Sequence, residues 1–204
     1  MRVENAHAGG EARDALAHGW AELLARALPD AAWVPLPNVG AEIARVATAL
    51  ALDAVILTGG NDVGSCPRRD HSERQLLQLC LTAAVPVLGV CRGLQMVQTF
   101  FGGAVAAAGE RHHAGRAHAI EVVDGRGRDL LGCARLVAPS YHRFGVAADA
   151  LAPGLEAWAL SADGLVEVLA HRSARIVAVQ WHPERPLPER DVALRLLRGF
   201  CDAC

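Results

Sequence analysis

Three predicted strand ends in this sequence carry the residue types of acyl-transfer chemistry. The apolar run "PVLGV" at 86–90 stops at Cys91, which stands between Gly89 and Gly93 ahead of a helical run at 94–101. "RIVAVQW" at 175–181 stops at His182, Pro183 and Glu184, and "DAVILTGG" at 53–60 stops at Gly59 and Gly60. A thiol, an imidazole, a carboxylate and bare backbone N–H groups are the inventory of a Cys-His-Glu nucleophilic site. A sharp strand-to-helix turn lifts a sulfur clear of its sheet. It also sets the sulfur at a helix N-terminus, where the dipole and a nearby histidine favour the thiolate. Small residues two positions away on each side, as in Gly89-Val90-Cys91-Arg92-Gly93, clear the space such a nucleophile elbow needs. His182 is then the proton carrier and Glu184 holds its ring, with Pro183 stiffening the link between them. An N–H of the bare Gly59-Gly60 backbone and the N–H of Arg92 are candidate donors to an oxyanion. Singly, a buried cysteine is a small hydrophobe and a glycine pair is a turn. The conjunction on three strand ends is what carries the chemistry.

Ligands bind beyond the carboxyl ends of the strands in an open parallel sheet, so these strands must lie together. The apolar periodicity predicts helices over 11–28, with Leu16, Trp20, Leu23, Leu24 and Leu28 on one face, and over 40–50, 72–84, 94–101 and 187–200. Ser72 is the expected cap of its helix. Residues 33–37 read as a short extended piece broken by prolines. Strands are predicted at 53–60 and 86–90, then at 118–123, 134–139, 155–160, 165–171 and 175–181, with a hairpin turn at 161–164. Strands and helices alternate in the first half, and strands dominate the second. The expected fold is α/β, a single-domain flavodoxin-like three-layer sandwich over 1–204. Its central sheet is expected to be mostly parallel, with a small antiparallel annex.

Bulk composition narrows the function classes. The 204 residues are 52% hydrophobic and 21% charged, as in an ordinary globular domain, and the net charge of −2 gives no reason to expect nucleic acid or an anionic membrane as partner. All 20 basic residues are arginine. Schiff-base chemistry and the phosphate-loop lysine are therefore excluded. No run approaches the ~18 apolar residues of a membrane span, and the N-terminus lacks the apolar stretch of a secretory signal. A cytoplasmic protein is expected, with its six cysteines (66, 80, 91, 133, 201 and 204) mostly reduced. The CxxC at Cys201 and Cys204 lacks both a βαβ context and a second ligand pair, so it is not read as a redox or metal site. His112 and His113, with His118 beyond, have no acid partner and read as a solvated loop. No metal or cofactor is expected.

"LTGGNDV", "PVLGVCRGLQM" and "VAVQWHPE" resemble the class I glutamine amidotransferase-like superfamily, and among its branches the γ-glutamyl-γ-aminobutyrate hydrolase type. "RDHSE" at 69–73, "PSYHRFGV" at 139–146 and "ADGLVEVL" at 162–169 are similar to further segments of that branch, so the resemblance runs from about Asp53 to Phe200. It implies cleavage of the side-chain amide of a γ-glutamyl group through a γ-glutamyl thioester. Cys91, His182 and Glu184 would be the triad, with Gly60 and Arg92 as backbone oxyanion donors. It also implies that Gly59, Gln95, Ser140, Tyr141 and His142 hold the substrate. The Ser140 hydroxyl and nearby N–H groups suit a carboxylate, whereas Tyr141 and His142 could equally pack within a turn. Glu167 is expected to tether a loop.

Two departures from the branch stand out. Its members open with a strand of which only the end is present here, at "MRVEN". The expectation is a truncated N-terminal strand. The segment at 63–69 is also short, which implies an open leaving-group site. Arg68, Arg69, Arg111 and Arg116 could meet phosphates there. Three functions follow. One is a free-standing hydrolase of γ-glutamyl conjugates, which acts on a small molecule and could be a homodimer. The second is a glutaminase subunit delivering ammonia to a partner synthetase. The third, a minor variant of the first, is a hydrolase of γ-glutamyl nucleotide phosphoramidates in surface-carbohydrate modification.

Overall fold

Short Val-, Ile- and Leu-rich runs bounded by glycine and proline make the strands, and longer runs with apolar residues every third or fourth position make the helices between them. The computed structural model describes residues 1–5, 10–108 and 115–202. The chain begins with β1 (Arg2–Asn5), β2 (Ala12–Ala15) and α1 (His18–Ala27). A 3-10 turn at Gly40–Glu42 leads into α2 (Ile43–Ala49), and then come β3 (Val55–Leu57), α3 (Pro67–Ala83), β4 (Val87–Val90) and α4 (Arg92–Phe100). The second half holds β5 (Ala106–Ala107), β6 (Ala117–Val122), α5 (Gly125–Leu131), β7 (Arg135–Pro139) and β8 (Phe144–Gly145). It closes with β9 (Leu155–Ser161), β10 (Val166–His171), β11 (Ile176–Val179) and α6 (Arg190–Asp202).

One seven-stranded sheet runs β3-β4-β11-β10-β9-β6-β7. β3, β4 and β11 are parallel, with Val55 beside Val87 and Val87 beside Ile176. Successive side chains on these strands point to opposite faces. One face buries Leu88, Val90 and Trp181 against Trp20, Leu23 and Leu24 of α1 and Leu196 and Leu197 of α6. The other buries Val87 and Ala178 against Ile43, Leu77, Leu94 and Val97 from α2, α3 and α4. The α/β three-layer sandwich is therefore as expected. Its antiparallel part is larger than an annex, because β10, β9, β6 and β7 all continue the same sheet antiparallel. The short turns between β9, β10 and β11 leave no room for a parallel crossover. Separate two-stranded antiparallel sheets pair β1 with β2 and β5 with β8.

Three expectations need correction. Residues 12–15 are not the first turn of a helix. They form β2, paired antiparallel with β1, and α1 begins only at His18. Ala-Arg-Asp-Ala favours a helix in isolation, but here Asp14 takes the Asn38 N–H at 2.8 Å and β1 supplies a ladder, so tertiary contacts override propensity. The N-terminal residues thus make a hairpin outside the main sheet. Asn61 stitches it to the glycine loop, accepting from the Val3 N–H at 2.7 Å and donating to the Val3 carbonyl at 2.9 Å. Second, Ser72 is no cap. α3 starts at Pro67, a residue suited to a first helical turn, and Ser72 lies inside, bonded to the Arg68 carbonyl and receiving the Gly40 N–H. Third, α5 lies outside the expected helices, although Asp124 caps it by accepting from the Arg126 N–H and Gly132 ends it at a φ of 71°. No helix among the described residues is long and apolar enough to cross a membrane.

Candidate active site

β4 ends in a turn that only its surroundings can hold. Cys91 has φ 53° and ψ −101°, a conformation that costs a non-glycine residue on the order of 1–3 kcal/mol. Its N–H is held by the Val179 carbonyl at 2.7 Å, and its own carbonyl accepts from Leu94 and Gln95 at 3.1 and 3.3 Å, which starts α4 at once. The two flanking glycines are sterically required. A Cβ on Gly89 would lie 2.8 Å from both the Ala178 Cβ and the Gly93 carbonyl carbon, and one on Gly93 would run into the Leu57 carbonyl oxygen. The sulfur therefore sits at the first turn of α4.

β11 delivers the imidazole from the neighbouring strand. The Gln180 N–H bonds the Glu167 carbonyl, and the chain then turns through Pro183 with the Arg185 N–H on the His182 carbonyl. This turn folds Glu184 back onto His182, with Oε1 2.6 Å from Nδ1. Cys91 and Glu184 both act on this ring. Burial works against the charged imidazole, but the influence of Cys91 and of the Glu184 carboxylate overcomes it and raises His182 from 6.5 to about 9. α1 backs the turn, because the space where Gly19 would carry a Cβ is filled by the Glu184 carbonyl.

The glycine loop closes the group. A Cβ on Gly59 would lie 2.7 Å from His182 Cε1 and 3.5 Å from the Cys91 Cβ. Gly60 has φ 116°, open only to glycine, and a Cβ there would also meet Arg2 and Arg69. Its N–H has no hydrogen-bond partner among the described residues. The N–H of Arg92, the first residue of α4, lacks a helical acceptor for the general reason that first-turn donors do. Cys91, His182, Glu184, Gly60 and Arg92 therefore lie together. They line one cavity of about 390 Å³.

Other anticipated residues divide. Gly59, Gln95, Tyr141 and His142 line this cavity, while Ser140 does not and lies fully buried. Gln95 donates to the Phe144 carbonyl at 3.0 Å, and His142 Nδ1 meets the same oxygen at 2.9 Å. The Tyr141 ring stands edge-on to His182 at 5.7 Å between centroids. Glu167 is buried, with His118 at 3.0 Å. His118 is thus on β6 and paired, not in a solvated loop. His112, His113, Arg111 and Cys204 lie outside the described residues. The described arginines expected to meet phosphate do not line the cavity. Arg69 is fully buried beneath the glycine loop, and the exposed Arg68 and Arg116 do not line the cavity. Arg2, Arg143 and Arg185 do. Arg185 directly follows the His-Pro-Glu run and stacks 3.9 Å over the Tyr141 ring, so its place beside the motif is the sequence signal that could have found it.

Comparisons with known proteins find a family and relatives for this chain. The Peptidase C26 family profile matches residues 2–184. The γ-glutamyl-CDP-amidate hydrolase of Campylobacter jejuni is 29% identical over 181 residues, covering 86% of this chain and 82% of that protein. Anthranilate synthase component 2 of Thermococcus kodakarensis is 33% identical over 160 residues, 74% of this chain and 76% of that protein. A solved structure of a GMP synthase subunit homologue from Thermoplasma acidophilum superposes with a TM-score of 0.71 at 22% identity, over 90% of this chain and 89% of that one.

Proposed function

Because the chain belongs to the Peptidase C26 family, of class I glutamine amidotransferase type, we propose that it is a hydrolase of γ-glutamyl amides that uses Cys91, His182 and Glu184 as its triad. The observation that carries the reading is the strained turn at Cys91 beside a histidine whose other nitrogen is held by a carboxylate. The Cys91 thiolate adds to the γ-carbonyl carbon, and the resulting oxyanion is bound by the Gly60 and Arg92 N–H groups. The C–N bond then breaks as the His182 imidazolium gives its proton to the leaving nitrogen, leaving a γ-glutamyl thioester. Water, deprotonated by His182, attacks the thioester and releases glutamate with the free thiolate. Gln95, Tyr141 and His142 bind the glutamyl end. A reduced thiol suits the cytosol.

The leaving group is an amidate that carries phosphate. Arg2, Arg143 and Arg185 around the cavity support this, since guanidinium forks match phosphate oxygens, and so does the Campylobacter relative. Glutamate release would be measured from glutamine, γ-glutamyl-γ-aminobutyrate and a γ-glutamyl nucleotide amidate, with Cys91→Ala as control. The amidate should turn over fastest, the control should be inactive, and Arg143→Ala should raise KM for the amidate about tenfold or more without changing it for glutamine. Equal turnover of all three substrates would reject this leaving group. A second reading, a glutaminase subunit feeding ammonia to a synthetase, is favoured by the anthranilate synthase relative. It requires glutamine turnover that rises on adding a partner protein.

A further inference from the structure

Behind the glycine loop lies a connected set of largely buried charges. Arg69, fully buried on α3, donates to the Thr58 carbonyl at 2.5 Å, the Gly59 carbonyl at 3.0 Å and Asn61 Oδ1 at 3.2 Å. Its Nε reaches Glu73 Oε1 at 2.8 Å. The second Glu73 oxygen accepts from Arg92 Nη1 and Asp70 accepts from Arg92 Nη2, while Arg92 Nε has no hydrogen-bond partner among the described residues. Arg69, Asp70 and Glu73 are thus one face of α3, and Arg92 is the first residue of α4. Isolated buried ions are costly, so such a set persists only when nearly every member is paired.

A trans peptide unit carries its C=O and its N–H on opposite sides. The Gly59 carbonyl and the Gly60 N–H belong to one such unit. Arg69 pulls that carbonyl toward α3 and so turns the Gly60 N–H the other way, toward the cavity that Cys91 lines. Gly60 needs this outside hold, because at φ 116° it has wide backbone freedom and its N–H has no partner of its own among the described residues. Glu73 extends the same hold to Arg92, whose backbone N–H is the second donor. The geometry points to Arg69 as the positioning residue of the oxyanion site, aiming the Gly60 N–H by its grip on the Gly59 carbonyl, with Glu73 locking the two donors into one unit. This rests on the reading of Gly60 and Arg92 as oxyanion donors.

Arg69→Lys keeps a cation beside Glu73 but cannot span two carbonyls and a carboxylate with one planar fork. The test compares it with wild type in three measurements: the Gly60 amide resonance, turnover of a γ-glutamyl amide, and alkylation of Cys91 by iodoacetamide, which develops no oxyanion. The Gly60 resonance should shift or split. kcat should fall about 100-fold, the order of losing one oxyanion donor, with KM within about threefold. Alkylation should keep its rate and pH profile. An unchanged Gly60 resonance overturns the proposal, and so does a parallel fall in turnover and alkylation, which marks general collapse. Glu73→Gln keeps the shape of the set and should show the same pattern at smaller amplitude if Arg69→Lys does not fold. If Cys91→Ala retained turnover, the proposed reaction would fall instead, while the Gly60 resonance would still decide the positioning claim.

Discussion

Glu184→Gln isolates the charge that holds the imidazole. The gap between 6.5 and about 9 for His182 amounts to about 3 kcal/mol of preference for the charged ring in the folded protein. Because the folded value lies above the unfolded one, this stabilisation is complete below about pH 6.5 and is lost as pH rises through about 9. Burial opposes it, while Cys91 and Glu184 supply it. Glutamine keeps the shape and an oxygen for Nδ1 but removes the charge, and with it the stronger, charge-assisted part of the bond. We expect the His182 midpoint to fall by about one pH unit, worth about 1.4 kcal/mol. Urea unfolding should therefore show a pH-dependent deficit of about that size at pH 6, closing by about pH 10. Turnover should fall at least about 100-fold, the usual scale for disabling a proton carrier. NMR titration of the ring reads the midpoint directly. A wild-type midpoint near 6.5, or one that Glu184→Gln leaves in place, refutes the account of how this histidine is charged.

Three other outcomes follow from contacts already described. Gly89→Ala sets a methyl 2.8 Å from atoms of β11 and α4 that cannot retract, so urea unfolding should show a loss of about 1–3 kcal/mol, and an unchanged midpoint would contradict the packing. Gly59→Ala places its methyl 2.7 Å from His182 Cε1. The ring must turn, and kcat should drop about tenfold or more, which retained turnover would refute. Cys80, pushed up to about 11 by burial, should escape iodoacetamide at pH 8 under conditions that label Cys91, as mass spectrometry of the digested protein would show.

The part of the site that could be read from the sequence is the part whose logic is local. Gly89 and Gly93 announce cleared space around Cys91, and His182 with Glu184 needs only a two-residue turn to meet. The parallel strands were equally plain, because β3, β4 and β11 are short apolar runs with glycine or proline beside them. Where partners are distant in the chain, local signals misled. Ala12–Ala15 has helix-forming residues, and nothing nearby reveals that Arg2–Asn5 pairs with it. Arg69 reads in the sequence as a phosphate contact because its acceptors, the Thr58 and Gly59 carbonyls, are backbone groups that no side-chain pattern encodes. Ser72 looked like a cap while Pro67, five residues earlier, held the better signal. The caps of α5, Asp124 and Gly132, were present and were outweighed by the strands on either side.

The Phe144 carbonyl, shared by Gln95 and His142, has a dynamic consequence. The segment around it is also held at its edges: the Ala108 N–H bonds the Arg143 carbonyl, the Gly115 N–H bonds the Ser140 carbonyl, and the Ser140 N–H bonds the Arg116 carbonyl. To lift away, this segment must release α4 and both edges together. The wall of the cavity formed by Tyr141 and His142 should therefore open as one cooperative unit, with no fraying residue by residue. Amide hydrogens of Ala108, Gly115 and Ser140 should exchange with solvent at a common rate. A ligand then meets a wall already in place, and affinity is not spent on ordering it.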